Sequence, residues 1–462
     1  MRAKPFAVTA AAAVLAAAGL ALPLAEPAAA ATALRDDFNG DGYRDLAIGT
    51  PAAGAVTVTY GSASGLSPAR SVTVTQNTAG VPGVTEPEDE FGENVTSADV
   101  DGDGHADLIV GAPGERVEGR PGGSTTIVRG GPKGFTRGGS VLNAPSADDL
   151  RFGEGASFID LDGDGTGNLV VVSANRFWWY ADGVPDGPAF GLEGAGLPAD
   201  VRLDGVVGAD FTAGGNGGQY AIHGTRGDGG AYLALVPGGP GDVGLGLRVL
   251  AEGDDARATR DAAATGDVDD DGHPDLITGN RDAGSVTVHY GSPDGLGLGR
   301  APRTYDQDSA GVPGVSEPGD AFGASVGAGD VDGDGDADVA IGTPGETVGA
   351  HAGVGSVVLL RSGAGGLGSG AAWHQERTGV PGVPEQGDRF GSTVRLGDVN
   401  GNGRADLAAA ASGEDIGSSA DAGAVWVLRG TTTGLTTSYA TSFNGSDFGI
   451  GGPGRHFGET LH

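Results

Sequence analysis

Short apolar runs of strand length alternate along this chain with turns rich in Gly, Asp and Asn. The run LIVGAP after Asp107, ended by Gly and Pro, shows the pattern of a buried strand. A second strand-like segment follows most of these runs, at residues 55–60, 124–129, 177–180, 231–236, 285–290, 356–361 and 424–429. Because no comparable stretch has a convincing helical period, the pattern predicts an all-β protein.

The turns between these runs contain a repeat. The nine-residue pattern Asp-x-Asp/Asn-Gly/Asp-Asp/Asn-Gly-x-x-Asp begins at Asp37, Asp99, Asp267, Asp330 and Asp398, at steps of 62, 168, 63 and 68 residues. The long step has room for two more units, one with an altered loop from Asp160 and one with a strongly diverged loop from Asp210. Seven units of about four strands each predict a seven-bladed β-propeller of four-stranded antiparallel blades.

A Phe-Gly pair precedes the loop by eight residues in four units, at Phe91, Phe152, Phe322 and Phe390. Another pair, Phe457-Gly458, stands at the end of the chain with no loop after it. The first unit lacks such a pair, so residues 457–462 are predicted to supply its missing first strand. Pairing of the N- and C-terminal strands would close the ring and remove two sheet edges. Residues 34–462 are therefore predicted to form a single propeller.

The spacing of oxygen-bearing residues in the loops is that of a metal site. Side chains at positions one, three, five and nine, with the backbone carbonyl of position seven, can converge on one cation. The predicted ligands are Asp37, Asn39, Asp41, Tyr43 and Asp45; Asp99, Asp101, Asp103, His105 and Asp107; Asp267, Asp269, Asp271, His273 and Asp275; Asp330, Asp332, Asp334, Asp336 and Asp338; and Asp398, Asn400, Asn402, Arg404 and Asp406. The altered loop offers Asp160, Asp162, Asp164 and Asn168, which predicts a weaker or empty site.

Calcium suits these loops better than other common metals. It takes six to eight oxygen ligands, whereas magnesium prefers a small octahedral shell and zinc prefers nitrogen and sulfur. An EF-hand is excluded, because its twelfth position needs a Glu and the second loop has Val110 there. The alternative that Asp and Gly are only turn formers does not account for five copies of one spacing. We expect five or six structural calcium ions, and none at Asp210.

The N-terminus has the pattern of a secretory signal. Arg2 and Lys4 precede an apolar stretch from about residue 8 to 22, and small residues follow at 28–30 and 31–33. We therefore predict a signal peptide over residues 1–33, with cleavage near residue 30 or 33, and a secreted protein. An uncleaved membrane anchor is the alternative, but the stretch is short for a span of about 20 residues, and no other segment is apolar enough.

The charge of the chain limits its partners. There are 61 acidic and 27 basic residues, for a net charge of −34, and no cysteine. This charge argues against nucleic acid and anionic membranes as partners. Without disulfides, the stability of an exported protein would come from burial and bound metal.

Together these motifs resemble the FG-GAP repeats of the integrin α-subunit β-propeller. The second unit shows them most fully, with Phe91-Gly92, the loop from Asp99 and Gly111-Ala112-Pro113. The fourth and fifth units lack the Phe-Gly pair, and the fourth also lacks the loop. The resemblance implies that calcium loops join the first two strands of each blade on one face and that ligands bind on the other.

The function favoured by this resemblance is that of a monomeric extracellular binding or adhesion module for a protein or glycan. A secreted polysaccharide hydrolase or lyase on a propeller scaffold is the alternative. No catalytic residues are predicted: Gly323–Gly327 matches Gly-x-Ser-x-Gly, but no helix follows it as a nucleophile elbow requires.

Three further features have both a functional and a structural interpretation. Arg226-Gly227-Asp228, the tripeptide that integrins recognise, is interpreted as a chance match. Trp178 and Trp179 are expected to fill space between blades rather than to stack on sugars. Connectors from residues 79, 310 and 378 would place acidic residues on the face opposite the loops, either as a cationic-ligand site or as solvated turns: Glu86, Asp89, Glu317, Asp320, Glu385 and Asp388.

Overall fold

The computed structural model describes residues 34–180, 192–194, 196–215, 217–238, 246–253 and 262–462. The predicted signal peptide lies outside the described residues. Seven four-stranded antiparallel sheets account for almost all of the regular structure. The all-β propeller predicted from the repeat is thereby confirmed.

Blades 3 to 7 each take four successive strands, and blade 2 takes four strands interrupted by a separate short hairpin. Blade 1 takes three strands from the start of the chain and one from its end. Blade 1 contains Leu46–Thr50 (β1), Ala55–Thr59 (β2), Ser71–Val74 (β3) and, from the end of the chain, Thr460–Leu461 (β30). Blade 2 contains Asn94–Ala98 (β4), Asp107–Ala112 (β5), Ser124–Val128 (β8) and Gly139–Asn143 (β9), with the hairpin Arg116–Val117 (β6) and Arg120–Pro121 (β7). Blade 3 contains Gly155–Ile159 (β10), Asn168–Ser173 (β11), Arg176–Tyr180 (β12) and Leu192–Glu193 (β13).

Blade 4 contains Val201–Ala209 (β14), Gln219–Arg226 (β15), Ala231–Val236 (β16) and Arg248–Gly253 (β17). Blade 5 contains Ala263–Gly266 (β18), Asp275–Asn280 (β19), Ser285–His289 (β20) and Arg303–Asp306 (β21). Blade 6 contains Ser325–Gly329 (β22), Asp338–Thr343 (β23), Ser356–Leu360 (β24) and Gly370–Trp373 (β25). Blade 7 contains Phe390–Gly397 (β26), Asp406–Ala411 (β27), Ala424–Thr431 (β28) and Gly434–Asn444 (β29).

Helical structure in the described residues is limited to 3₁₀ turns at Pro51–Ala53, Pro68–Arg70 and Gly445–Phe448. The described part of the chain contains no helix with the length and hydropathy of a membrane span.

The ring closes as the repeat predicts. Strand β30 pairs antiparallel with β1, with Leu461 opposite Ile48. Beyond the strand, the backbone of His462 exchanges hydrogen bonds of 2.7 and 2.9 Å with Ala47. The C-terminal strand is therefore the innermost strand of blade 1.

The hydrophobic core is a ring of seven clusters, one at each junction between neighbouring blades. The Phe residues of the five Phe-Gly pairs that are in phase with the repeat are fully buried at junctions: Phe91, Phe152, Phe322, Phe390 and Phe457. Apolar side chains on both sides of each blade thus contact a neighbour, which explains why the second strands read as continuous apolar runs rather than alternating ones.

The inner strands surround a channel along the propeller axis. Its cavity has a volume of about 830 Å³ and is lined by β4, β10, β14, β18, β22, β26 and β30. Many of the lining residues are small, such as Ala156, Gly208, Ala263 and Gly327, so the channel stays open at its centre.

Candidate metal sites

The Asp-rich loops join the inner strand of a blade to its second strand, so all of them lie on one face of the ring. Position nine is the first residue of the second strand at Asp107, Asn168, Asp275, Asp338 and Asp406. The loops from Asp99, Asp160, Asp267, Asp330 and Asp398 are therefore anchored at both ends by paired strands, whereas the loop from Asp37 leads into β1 and has no strand before it among the described residues.

The first Asp of each loop organises the turn. In all six loops its carboxylate accepts a hydrogen bond of 2.7–3.0 Å from the backbone N–H of the glycine at position six. That glycine has a φ between +77° and +106°, as the sequence predicts. Position four is also left-handed, which the sequence reading missed; Asp270 adopts this conformation where the other loops have glycine.

Position nine joins the loop to the third strand. The carboxylate of Asp45, for example, accepts hydrogen bonds from the N–H of Phe38 (2.9 Å) and of Gly61 (2.8 Å). Its equivalents in the other four full loops make the same two types of bond and are fully or almost fully buried. In the altered loop the side-chain oxygen of Asn168 accepts from Leu161 N–H (2.7 Å), so the amide replaces the carboxylate structurally.

Burial dominates the electrostatics of position nine. It raises the pKa of Asp45 to about 8, of Asp275 to about 7, and of Asp107, Asp338 and Asp406 to about 6. A nearby cation favours the ionised form of a carboxyl and would lower these pKa values.

Four loops bring three carboxylates together, with one oxygen of each within 4.8 Å of the others. The groups are Asp99, Asp101 and Asp107; Asp160, Asp162 and Asp164; Asp267, Asp269 and Asp271; and Asp330, Asp332 and Asp334. In the described residues, no triple of acidic or histidine ligands forms in the loops from Asp37 and Asp398, where asparagine takes one and two of the ligand positions.

The donor set fits a hard cation. All the converging atoms are carboxylate oxygens, the ligands that calcium prefers. In addition, Oδ1 of Asp162 and Oδ1 of Asp269 are buried and have no hydrogen-bond partner among the described residues. Buried carboxylate oxygens are costly unless they are paired or bind a metal, so these two atoms favour ion binding.

Arginines from the same blade contact several loop carboxylates, a feature that the sequence reading missed. Arg137 contacts Asp101 at 3.0 Å and also Asp103. Arg300 and Arg361 contact the position-three residues Asp269 and Asp332. These guanidinium groups neutralise part of each acidic cluster.

The position-seven side chains remain close to the loops. His105 Nδ1 lies 3.1 Å from an oxygen of Asp103, and His273 Nδ1 lies 3.2 Å from one of Asp271. The assignment of position-seven carbonyls, including those of Tyr43, Asp336 and Arg404, as ligands stays a prediction.

The diverged loop from Asp210 has no carboxylate partner for a metal within its described residues. Asp210 accepts hydrogen bonds from the hydroxyl of Thr212 (2.7 Å) and the N–H of Gly215 (3.0 Å). Burial raises the pKa of this carboxyl, but the hydrogen bonds outweigh burial and lower it. The loop therefore keeps the turn of the repeat through internal hydrogen bonds.

The other sequence motifs have structural roles. Arg226 is ion-paired with Asp200 and Glu252, both at 2.9 Å, at the turn between β15 and β16. The Ser325 hydroxyl is buried and donates to Gly391 O at 2.9 Å, so it is not available as a nucleophile.

The tryptophan pair lies between blades, as expected. Trp178 belongs to the cluster between blades 2 and 3 and donates to Asp149 at 3.2 Å. Trp179 packs against the cluster between blades 3 and 4.

The acidic connectors are only partly as expected. Asp89, Asp320 and Asp388 are buried, and each accepts a hydrogen bond of 2.6–2.8 Å from the backbone N–H of the Glu three residues earlier. Those three glutamates, Glu86, Glu317 and Glu385, are exposed. Of the six acidic residues, only the three glutamates are therefore exposed on this face. The three aspartates are buried and accept hydrogen bonds from the backbone of those glutamates.

Four-stranded antiparallel sheets around an axis, with acidic loops on one face, define this molecule as a seven-bladed β-propeller. The FG-GAP repeat family matches residues 28–64, 91–128, 260–289, 322–360 and 390–428. The chain thus contains five FG-GAP repeats, and its propeller is consistent with an integrin α-like propeller.

Integrin alpha-4 of Xenopus laevis is 31% identical over 189 residues, which cover 37% of this chain and 17% of that protein. The chain thus aligns with less than a fifth of that relative. Among solved structures, AofleA from Arthrobotrys oligospora has a TM-score of 0.34 at 10% identity, over 73% of this chain and 82% of that one. A nidogen/laminin complex has a chain with a TM-score of 0.35 at 10% identity, over 69% and 89%.

Proposed function

We propose that the protein is a secreted, calcium-stabilised module that binds an extracellular protein or glycan without turning it over. The observation that carries the calcium part is the convergence of three carboxylate oxygens in each of four loops. The integrin relative supports the binding part, and the N-terminal signal pattern supports export.

Calcium, when bound, would supply the positive charge that holds the clustered carboxylates together. The loops from Asp37, Asp99, Asp267, Asp330 and Asp398 would each hold one ion, and the loop from Asp160 a weaker sixth. Sites of this kind fill at the roughly 10⁻⁴ to 10⁻³ M affinities of extracellular modules. Because an ion binds only the folded loop, its binding energy adds to stability.

Ion counting tests the assignment of the loops. Asp103→Ala removes position five of the second loop and should lose about one ion per chain relative to the wild type. Asp210→Ala, which removes the first Asp of the diverged loop, should lose none. Plasma emission spectrometry of the two dialysed variants gives the answer, and equal ion contents would overturn the assignment.

The ligand face proposed here is the one opposite the loops. Three equivalent connectors each present an exposed valine two residues before the exposed glutamate: Val84 (67% exposed), Val315 (66%) and Val383 (71%). Apolar side chains beside carboxylates suit a partner surface that is both apolar and basic.

A pull-down from extracellular protein mixtures, run beside a glycan array, tests this binding role. The triple variant Val84→Ser, Val315→Ser, Val383→Ser should lose most of the captured partner while keeping its melting temperature. Full retention of binding would exclude this face.

A polysaccharide hydrolase or lyase is the competing function. The carboxylates that line the axial channel are Asp36, Asp330 and Asp398, and all three accept hydrogen bonds from protein groups. Incubation with polysaccharides followed by an assay for new chain ends should show no turnover. Sustained release of ends would replace the binding proposal with the enzyme.

A further inference from the structure

The charged groups of the axial channel are concentrated at the end next to the metal loops. Four arginines line the cavity there: Arg35, Arg44, Arg395 and Arg404. The rest of the lining is mostly small, apolar or hydroxyl-bearing. In a protein with 27 basic and 61 acidic residues, four arginines in one cavity reverse the overall charge balance locally.

The channel acids are already engaged by other groups. Asp36 is 4% exposed and accepts a 3.1 Å hydrogen bond from Arg395 as well as one from the Ser97 hydroxyl. His462 Nε2 lies 3.2 Å from the same carboxylate. The buried carboxylate of Asp36 thus contacts side chains from blades 7, 1 and 2.

The two other channel acids belong to the metal loops. Asp330 accepts from the N–H of Gly335 (3.0 Å), and Asp398 accepts from the N–H of Gly403 (2.7 Å). Each is the first residue of its loop, so its charge is directed toward that loop.

Arg35 differs from the other channel arginines in that its guanidinium makes no hydrogen bond to the described residues, whereas that of Arg404, which also lacks an ion pair, donates to the backbone carbonyls of Asp332 and Asn402. The carbonyl of Arg35 accepts a hydrogen bond from Arg44 at 2.9 Å, but no carboxylate of the described residues lies within ion-pair distance of its guanidinium. Arg44 lies 3.8 Å and Arg395 3.1 Å from Asp36, so two guanidinium groups share a single buried carboxylate while Arg35 lines the same cavity without one. Like charges gathered in a cavity repel one another unless an anion joins them.

We propose that the loop-side end of the axial channel binds an oxyanion, a carboxylate or sulfate group, held by Arg35 with Arg44 and Arg395 beside it. Guanidinium groups bind such anions through paired hydrogen bonds in a fixed fork geometry. The channel volume of about 830 Å³ lies within the range of about 300 to 1,000 Å³ for small-molecule sites. The anion site is separate from the exposed valines and glutamates of the opposite face, and its occupation does not depend on a ligand there.

Isothermal titration calorimetry with sodium glucuronate and with sodium sulfate tests the proposal. The full-length mature protein is used at about 1 mM calcium, which fills sites with a Kd near 10⁻⁴ M almost completely, and at constant ionic strength set with chloride. Arg35 lies after both predicted cleavage positions and is present in that protein. The wild type should bind one anion per chain, and Arg35→Gln should bind it about tenfold or more weakly, because charge-assisted hydrogen bonds are lost.

Two further variants make the result specific. Arg120→Gln, on the exposed hairpin β6–β7, should bind as tightly as the wild type. Arg35→Lys keeps the charge but not the fork, so it should bind with intermediate affinity. Melting curves of all variants in chloride establish that each is folded.

Each anion tests a different ligand source. Binding of glucuronate alone would assign the site to carboxylates such as those of acidic sugars, and binding of sulfate as well would assign it to oxyanions in general. Heats of dilution alone with both anions would overturn the proposal. Equal affinity of Arg35→Gln and the wild type, or equal losses in Arg35→Gln and Arg120→Gln, would also overturn it.

Discussion

Two arcs of the ring are built differently: a regular arc of blades 5, 6, 7, 1 and 2, and a diverged arc of blades 3 and 4. At the junctions of blades 1/2, 2/3, 5/6 and 6/7, the backbone carbonyl of a Phe-Gly glycine lies against a glycine of the preceding blade. A methyl group on the preceding glycine would lie 2.0–2.3 Å from that carbonyl oxygen, as at Gly49, Gly111, Gly279 and Gly342. At the 3/4 junction the position equivalent to Gly111 is Val172, and blade 4 has no Phe-Gly pair.

Side chains replace this backbone contact in the diverged arc. Val172 belongs to a cluster with Val201, Leu203 and Tyr220. The Tyr220 hydroxyl donates to Asn168 O at 2.6 Å, and Leu203 N–H donates to Ala174 O at 2.9 Å. Blades 3 and 4 nevertheless keep four antiparallel strands each. The difference shows that the Phe-Gly and Gly-Ala-Pro residues specify how blades dock on each other, whereas the sheet itself needs only apolar strands and turns.

Chelation of calcium should have the largest effect on stability, and the response of the loops to it should differ between the two arcs. With EDTA, loss of several ions should lower the melting temperature by roughly 10 °C, since each filled site adds binding energy to the folded state. Hydrogen exchange should rise in the loops from Asp99, Asp267 and Asp330 and stay unchanged around Asp210, whose turn is held by Thr212. An unchanged melt in EDTA would refute the structural role of calcium.

Truncation of a phenylalanine at a blade junction should have the next largest effect on stability. Phe322 is fully buried in the cluster between blades 5 and 6, so Phe322→Ala should cost about 3–5 kcal/mol of unfolding free energy. Phe158, in β10 of blade 3, is only partly buried, and Phe158→Ala should cost clearly less. Urea denaturation in calcium measures both. Equal losses of unfolding free energy in the two variants would mean that the Phe of a Phe-Gly pair contributes no more to stability than a partly buried phenylalanine.

The backbone contact itself can be broken by a single methyl group. Gly342→Ala would place that group 2.0 Å from Gly391 O and 2.2 Å from Ser325 Oγ, which forces blades 6 and 7 apart and should cost about 1–3 kcal/mol. Gly365→Ala, with no atom within 4 Å, is the matched control and should be neutral or slightly stabilising. Thermal melts compare the two variants. An unchanged melting temperature in Gly342→Ala would show that blades 6 and 7 can move apart at this contact without loss of stability.

The fold was predictable because its signals are local and repeated. Strand positions such as Ala231–Val236 match the expected segment, and the closing strand follows from the phase of Phe457-Gly458. The metal loops were predictable for the same reason, since nine adjacent residues carry the ligand spacing.

Contacts between distant residues were not predictable. Arg137 reaches Asp101 from 36 positions along the chain, and Arg395 meets Asp36 from the other end of it. Burial of Asp89, Asp320 and Asp388 was missed as well, because an acidic residue in a Pro- and Gly-rich connector gives no sign of the backbone group that it caps. Such features depend on how blades stack, which periodicity does not encode.

The smallest effect concerns a glutamine–glutamate pair that recurs at three junctions of the regular arc and has no counterpart among the described residues of blades 3 and 4. The pair is buried at Gln375–Glu414 and partly buried at the other two junctions. A glutamine amide donates to a glutamate at Gln76–Glu115 (2.6 Å), Gln307–Glu346 (2.8 Å) and Gln375–Glu414 (2.8 Å). Burial, and secondly the negative charge of Asp388, raise the pKa of Glu414 from 4.5 to about 7. The folded protein therefore holds this proton more tightly than the unfolded chain, and stability falls as pH rises from about 4.5 to about 7.

Glu414→Gln removes this ionisation and should flatten that part of the pH dependence. At pH 8 the variant should be more stable than the wild type by roughly 1–3 kcal/mol, and the gain should shrink toward pH 5, where the wild-type carboxyl is protonated. Glu118→Gln, at a side chain 81% exposed on the equivalent hairpin of blade 2, serves as the control and should change little at either pH. Denaturation curves at constant calcium measure the difference. A gain that is the same at pH 5 and pH 8 would mean that the junction tolerates a charged Glu414, and that the pair stabilises the regular arc by packing alone.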